Sequence, residues 1–413
     1  MSYDVVVAGL GILGACALRE LALRSGSVLG VDALTPPHAG GSSHGLTRII
    51  RDAYFEHPFY VPLVRRAREG WRELEEESGL PLFHRTGLLS IGARSGPLIQ
   101  GSLKSARTHE IPHQLLDRGA LRTEWPDLHV GQDQVGVFED QAGVIAVEAG
   151  VQAALDGARR YGAEIRVQTR LLGWEEMEGG LEVRFRSGTD EDEAGGGEGR
   201  EDRVWTRTLI LALGPWLGPL AGEPFNDLQV ERQVTLWYDA SAALATKRTL
   251  PVLLWEPAEG PLAYAIPDLG DGWKVARHHG GETMKPRKHP PGFLPRRVTD
   301  EDRRGAQEVV SALLPGCIDG ERRAAVCFYT NTPDGHFLVG PHPRASGVLL
   351  LGGGSGHAFK FAPLLAARIA DFVPGLPAGD RGVGHLWSGD GGANAGSSGH
   401  SGTDPFDPCR LCG

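Results

Sequence analysis

The sequence predicts an α/β (α+β) chain in which a Rossmann-type unit is interleaved with an antiparallel sheet. Three observations carry this. Residues 3–32 run strand, glycine turn, helix, strand, in the order of a βαβ unit. Residues 348–373 repeat the opening of that pattern, with an apolar strand, the glycine run Gly352-Gly353-Gly354-Ser355-Gly356 and a helix. Between them, residues 230–238, 252–256, 262–266 and 273–277 have strand character at spacings expected of an antiparallel sheet.

The first unit has a physical reason at each step. Asp4-Val5-Val6-Val7-Ala8 is rich in β-branched residues, as a buried parallel strand requires. Gly9-Leu10-Gly11-Ile12-Leu13-Gly14 follows, then a helical pattern over 15–25 closed by Gly26. A second apolar run, 27–31, ends in Asp32, twenty-one residues after Gly11. Gly9, Gly11 and Gly14 permit a tight turn, close approach to a pyrophosphate and close packing of helix on strand. The helix N-terminus offers free N–H groups to phosphate, and Asp32 can accept ribose hydroxyls. A glycine fingerprint alone is common. Strand, glycines, helix, strand and acid in order predict an adenine dinucleotide site.

A length of 413 residues allows two to three domains. The net charge of −10 (42 basic against 52 acidic residues) argues against a nucleic-acid partner. Cys16, Cys317, Cys327, Cys409 and Cys412 are too scattered for a disulfide framework, so a reducing, cytoplasmic compartment is expected. No targeting segment is evident and no run approaches the ~20 apolar residues of a membrane span.

Further along, 62–78 carries Val64, Ala67, Trp71 and Leu74 on one face between Pro62 and Gly79, which predicts an amphipathic helix. A strand is expected at 88–91, helices at 116–125, 147–161 and 306–314, and strands at 164–169, 181–186 and 204–213. The domains follow as 1–85, 145–220 and 330–380 for the cofactor unit, with 86–144 and 221–329 covering it and forming a substrate cavity at the seam. Residues 187–202 are acidic and glycine-rich and predict a mobile hairpin tip. From 389 to 413 the composition predicts a disordered tail.

Four clusters could carry chemistry. His44-Gly45-Leu46-Thr47-Arg48-Ile49-Ile50-Arg51 follows the ribose-binding acid and is expected as a loop or short helix. Its two arginines suit a carboxylate or phosphate, and equally an ordinary surface pair. Lys360 lies between Phe359 and Phe361 after the second glycine turn, so it needs an anionic partner or a shifted pKa, unless it snorkels. Cys327 sits in an apolar strand, where a cysteine is usually a small buried hydrophobe. Lys274 and His278 are four residues apart and share a strand face, with His279 pointing the other way. No acids or cysteines stand at metal-ligand spacing there, and Cys409/Cys412 is one lone CxxC, short of a zinc site.

Taken together, these motifs identify a resemblance. Ala8-Gly9-Leu10-Gly11-Ile12-Leu13-Gly14, Pro36-Pro37-His38 leading to the cluster around Arg48, the run around Cys327, and Gly356-His357-Ala358-Phe359-Lys360-Phe361 resemble the monomeric sarcosine oxidase and N-methyl-L-tryptophan oxidase family of flavoenzymes. The likeness spans about 3–373. It implies a glutathione-reductase-like FAD domain under an antiparallel sheet, and oxidation of N-methyl amino acids by O2 to the amino acid, formaldehyde and hydrogen peroxide. It implies FAD tethered through Cys327 as a thioether, a substrate carboxylate held by Arg51 and Lys360, and oxygen activation by Lys274. Arg48, with neighbours His44 and Thr47, falls beside the flavin, and Tyr264, His278 and Tyr329 line the substrate cavity. Gly356 belongs to the same cofactor turn.

Leu46, Ala358 and Arg277 depart from the family pattern, and His278-His279-Gly280-Gly281 is nearer the N-methyltryptophan branch; these leave substrate size open. The expected partners are a small N-alkyl amino acid and O2, with no nucleic acid or membrane, for a monomer. The alternatives are a flavin dehydrogenase of a secondary amino acid (pipecolate or proline type) using another acceptor, and a non-catalytic flavin-binding protein.

Overall fold

The computed structural model describes residues 1–24, 26–188, 200–241, 250–286, 294–377 and 404–412. Its first sheet has eight strands, and its parallel core is built from the most apolar runs. Ser2–Ala8 pairs in parallel with Val28–Val31 on one side and Arg200–Leu211 on the other. Glu164–Arg166 extends one edge, and Val348–Gly352 joins the distal end of Arg200–Leu211, both in parallel. An antiparallel hairpin, Thr169–Met177 and Gly180–Ser187, completes it beside Arg200–Leu211, with Leu338–Pro341 antiparallel to Val348–Gly352. Helices Ile12–Arg24, Tyr60–Ser78, Val147–Arg160 and Ala362–Asp371 pack into one apolar core against this sheet.

Side-chain period decides the second sheet, of nine strands. Gln229–Ala240 pairs antiparallel with both Trp273–Arg277 and the long strand Ile318–Asn331. Leu236 and Tyr238 from the first of these, Val275, Ala265 and Leu253 point to one face and bury against Ala306, Val309, Val310 and Leu313 of helix Asp300–Leu313. That helix is started by a reciprocal cap between Thr299 and Asp302. Residues one step out of phase must therefore face the opposite way, towards the first sheet. This sheet is not wholly antiparallel: Val252–Trp255 runs parallel to Leu88–Ala93.

Four expectations are corrected. Residues 47–50 form neither loop nor helix but a strand, Thr47–Ile50, antiparallel to Gly143–Ala146. Pro97–Thr108 is a helix where none was expected. His279 has φ +67°, which ends the strand geometry; its ring lies 4.5 Å from that of His278 instead of on the far face. Within the tail expected to be disordered, 404–412 is ordered, with Phe406 fully buried. Residues 389–403 and 189–199 lie outside the described residues, while Ser187 and residues 200–202 belong to strands.

Candidate active site

The glycine turn has no room for side chains. Gly9 has φ +90°, and a Cβ on Gly14 would stand 1.8 Å from the Gly9 carbonyl oxygen. The start of helix Ile12–Arg24 can therefore approach the end of strand Ser2–Ala8 as closely as a phosphate cradle needs. Asp32 caps the next strand. One of its oxygens accepts from the Leu10 amide at 2.7 Å, and the other accepts from the Leu34 amide at 2.8 Å and lies 3.1 Å from His38 Nε2. A carboxylate has about four acceptor positions, so one remains for a ribose hydroxyl.

From this turn a cavity of about 1360 Å³, partly open to solvent, runs to the second sheet. Gly9, Gly11, Asp32, Arg48, Cys327, Tyr329 and Gly356 line it; Gly14 lies beneath the turn. Gly356 has φ +79°, and a Cβ there would meet the Tyr329 ring at 2.8 Å. His44 is buried next in sequence to the lining, and its Nε2 has no hydrogen-bond partner among the described residues. Burial, then the charges of Arg48, Arg296 and Lys274, hold it down at about 3, so it is neutral at pH 7. A long groove with a glycine cradle at one end, an acid for a ribose, and a neutral imidazole with a spare nitrogen fits a flavin dinucleotide.

A second cavity, of about 790 Å³, shares Arg48, Cys327, Tyr329, Gly356, His357 and Phe359 with the first. Its roof follows from the sheet's period. Leu254 pairs with Tyr264, Ile266 with Lys274, and Gln233 with Cys327, so these side chains share the face left free by helix Asp300–Leu313. Its floor brings Thr47, Arg48, Arg51 and Lys360, with His278 at one wall. Thr47 touches only this smaller cavity, not the groove.

These geometries accord with the comparisons. The family model for FAD dependent oxidoreductases matches residues 4–372. The chain belongs to that family. It is 34% identical over 381 residues to a monomeric sarcosine oxidase from Streptomyces avermitilis, covering 90% of this chain and 94% of that one. It is 32% identical over 374 residues to an N-methyl-L-tryptophan oxidase from Salmonella arizonae, covering 90% and 95%. Among solved structures it is similar to the open form of NikD, an unusual amino acid oxidase essential for nikkomycin biosynthesis (TM-score 0.76, 20% identity, 91% and 94% covered). It also resembles glycine oxidase from Geobacillus kaustophilus (TM-score 0.71, 19% identity, 90% and 94% covered).

In this FAD-dependent oxidoreductase the cations are buried and held. Arg51 donates to both oxygens of Glu56, at 2.9 and 2.7 Å, and its guanidinium lies 4.4 Å from the Tyr54 ring centre. Arg51 drives the Glu56 carboxyl down to about 2 despite its burial. Lys360 Nζ lies 5.3 Å from the same ring and donates to the His357 carbonyl at 3.1 Å and to Tyr54 Oη at 3.3 Å. Burial and the Arg51 charge lower Lys360 to about 7.

His357 Nε2 lies 3.1 Å from the Gly335 carbonyl, which can only accept, so Nε2 carries the proton. Nδ1 then accepts from Tyr54 at 2.7 Å, and Tyr54 in turn accepts from Lys360. Burial holds His357 at about 4, in keeping with this neutral tautomer.

Lys274 Nζ donates to the Gly45 and Thr47 carbonyls, at 2.8 and 2.9 Å, over Trp237. Those carbonyls flank Leu46, held at φ +68° by the Glu148 carboxylate, which takes the Gly45 and Leu46 amides. Burial, then Arg48, lowers Lys274 well below an ordinary lysine. Arg48 Nη2 stands 3.5 Å from Cys327 Sγ. His278 Nδ1 lies 3.1 Å from Tyr329 Oη, and burial holds His278 at about 3. Burial also raises the phenols of Tyr264 and Tyr329, so both stay protonated.

Sequence reasoning missed Glu56, Tyr54 and His357 as members of the site, and Glu231 behind it. Glu231 is buried and accepts from the Gly281 amide (2.8 Å) and Asn331 Nδ2 (2.9 Å), with His279 Nδ1 at 2.9 Å; the His279 ring packs on His278 and Tyr329. Glu56 carried no signal of its own, since Asp52 also follows Arg51 and nothing in the run Arg51-Asp52-Ala53-Tyr54-Phe55-Glu56 singles out the second acid.

Proposed function

We propose that this flavoenzyme oxidises an N-methyl amino acid of the sarcosine or N-methyl-L-tryptophan type. Oxygen is the acceptor, and the products are the amino acid, formaldehyde and hydrogen peroxide. The observation that carries this reading is the pair of buried cations, Arg51 and Lys360, both beside the Tyr54 ring in a cavity that shares Arg48, Cys327 and Tyr329 with the dinucleotide groove. The names of the Streptomyces and Salmonella relatives support it.

In this reading Gly9, Gly11, Asp32, His44, Arg48 and Gly356 hold FAD, with Cys327 as its covalent anchor. Cys327 supports that role by lining both cavities as a free thiol. Bound FAD supplies the acceptor that takes two electrons and a hydrogen from the substrate's N-methyl group and hands them to oxygen. The chain's own residues do the rest. Arg51 and Lys360 bind the carboxylate and thereby aim the amine at the shared wall. Arg48, Lys274 and Lys360 favour the free base of the bound amine over its cation, which keeps the nitrogen lone pair available. Tyr264, Tyr329 and neutral His278 close the cavity against water. Hydrolysis of the oxidised N–CH₂ group consumes one water, which balances amine, O2 and water against amino acid, formaldehyde and peroxide.

We assign 1–85, 145–220 and 330–380 to the FAD-binding unit and 86–144 and 221–329 to the substrate unit. Support comes from the strands of the eight-stranded sheet falling within the first set. We further propose a monomer, as the Streptomyces relative's name has it, in a reducing cytoplasm, which the free thiols of Cys409 and Cys412 support. No helix among the described residues is long and apolar enough to cross a membrane. The test is to supply sarcosine and N-methyltryptophan in air and measure peroxide and formaldehyde in equal amounts; pipecolate, which has no N-methyl group, serves as the control that can give peroxide but no formaldehyde. Acid precipitation should leave the yellow colour with the protein, and Cys327→Ser should release it; turnover of neither N-methyl amino acid by flavin-loaded enzyme rejects the reading.

A further inference from the structure

Residues 404–412 dock against the cofactor unit through three inward anchors. Phe406 is fully buried, with its ring centre 5.2 Å from Phe337 and 6.2 Å from Tyr60. Arg410 donates to both oxygens of Asp334, at 2.6 and 3.1 Å, and to the His336 carbonyl at 2.8 Å. Asp404 pairs with Arg368, and the Val339 amide donates to the Phe406 carbonyl at 3.0 Å. Tyr60 packs in turn against Tyr54, with ring centres 4.9 Å apart, so two aromatic rings separate the segment from Lys360.

Two side chains of this segment face outward instead. Cys409 and Cys412 are exposed, whereas Cys16, Cys317 and Cys327 are buried. The turn carrying the pair, Pro408–Leu411, is a 3₁₀ helix started by the Asp407 carboxylate, which accepts from the Cys409 amide at 2.8 Å. The Cys412 amide donates to the Cys409 carbonyl at 3.0 Å and continues that winding. A 3₁₀ helix has three residues per turn, so positions i and i+3 eclipse at a rise of about 6 Å. That lies within the Cα separation of roughly 4.4–6.8 Å that a disulfide spans. The Cys412 side chain also lies within hydrogen-bonding reach of the Cys409 thiol.

We propose that Cys409 and Cys412 form a reversible dithiol–disulfide modification site whose oxidant is hydrogen peroxide. One thiol attacks the peroxide O–O bond, giving a sulfenic acid and water. The second thiol displaces the sulfenic hydroxyl as a second water, closing the S–S bond. Two electrons and two protons pass from the two thiols to one peroxide, which ends as two waters. The identity of the oxidant rests on the proposed reaction, whose product is peroxide; the geometry of the pair does not. Burial and the Asp407 carboxylate push the Cys409 thiol up, so the site oxidises slowly. A zinc role is unsupported, since no group of three or more metal-ligating side chains occurs among the described residues.

The experiment uses reduced, full-length, flavin-loaded protein and reagent hydrogen peroxide, with no amine present. Its outcome is thus independent of whether the enzyme turns over any substrate. After peroxide, free thiols are alkylated and the C-terminal peptide is weighed. The expected result is a peptide two hydrogens lighter, carrying no alkyl group, with both alkylation sites restored by dithiothreitol. In Cys409→Ser and Cys412→Ser the remaining thiol should gain oxygen instead of cross-linking. Both thiols staying fully alkylatable overturns the proposal. So does oxygen addition without cross-link in the wild type, or a disulfide joining two chains.

Discussion

The guanidinium of Arg51 faces the carboxylate of Glu56 with two N–H···O contacts, at 2.9 and 2.7 Å, inside the cavity assigned to the substrate. The chain thus supplies its own carboxylate to the cation that should receive the substrate's. Replacing Glu56 by Gln removes that competing charge, and simple carboxylates such as propionate should bind about tenfold more tightly, the size of one charge-assisted hydrogen bond. Titration of the flavin absorbance measures this; unchanged or weaker binding would mean that Glu56 orients Arg51 instead of competing for it. Because its folded value of about 2 lies below the ordinary carboxylate range, the Glu56 pair adds stability above roughly pH 4.5. That stability is lost as pH falls towards 2.

Lys360 sets a different pH dependence. Its folded pKa is lowered to about 7, and a bound carboxylate raises it. Carboxylate affinity should therefore be flat below pH 7 and weaken up to tenfold per unit above it, until the value in the complex is passed. Lys360→Met should bind more weakly at pH 6 and show no inflection near 7. The measurement is propionate affinity from pH 5.5 to 9; an inflection persisting in the variant would place the titrating group elsewhere.

For Lys274, the two carbonyl acceptors at 2.8 and 2.9 Å hold an ammonium against the desolvation that lowers its pKa. In the proposed reaction a positive charge there would stabilise negative charge as oxygen is reduced. Lys274→Met should slow reoxidation by oxygen by about 10²–10³ while flavin reduction by substrate changes far less. Stopped-flow measurement of the two halves separates them. Unchanged reoxidation would favour a dehydrogenase with another acceptor.

Glu231 lines neither the groove nor the smaller cavity, yet it anchors the turn that carries His278. Glu231→Gln replaces one carboxylate oxygen by an amide N–H₂, and placed where Oε2 stands that group meets the two donors His279 and Asn331; the loss of about 1–3 kcal/mol of hydrogen bonding should release His279 from φ +67°. KM should rise about tenfold with flavin content unchanged. Glu231→Asp should recover part of the loss, which a purely destabilising change would not.

Much of the fold was legible because burial imposes a period. The 62–78 helix announced itself through Val64, Ala67, Trp71 and Leu74, all buried in helix Tyr60–Ser78. The strands around Lys274 and Tyr264 carried β-branched and aromatic runs. What stayed hidden depends on distant partners. Thr47–Ile50 is a strand only because Gly143–Ala146, about a hundred residues away, pairs with it. Phe406 looks like one aromatic in a polar tail until Tyr60 and Phe337 close around it. Glu56 is indistinguishable by composition from any surface acid; only the fold of 51–56 turns it towards Arg51.

Anaerobic mixing of the flavin-loaded enzyme with sarcosine or N-methyltryptophan addresses the central claim most directly. The visible flavin band should bleach with at least one of them, and Arg51→Met should need at least tenfold more substrate for the same rate, the loss of one charge-assisted contact. A band unchanged at saturating concentrations of both N-methyl amino acids, in protein shown to hold its flavin, would contradict the account.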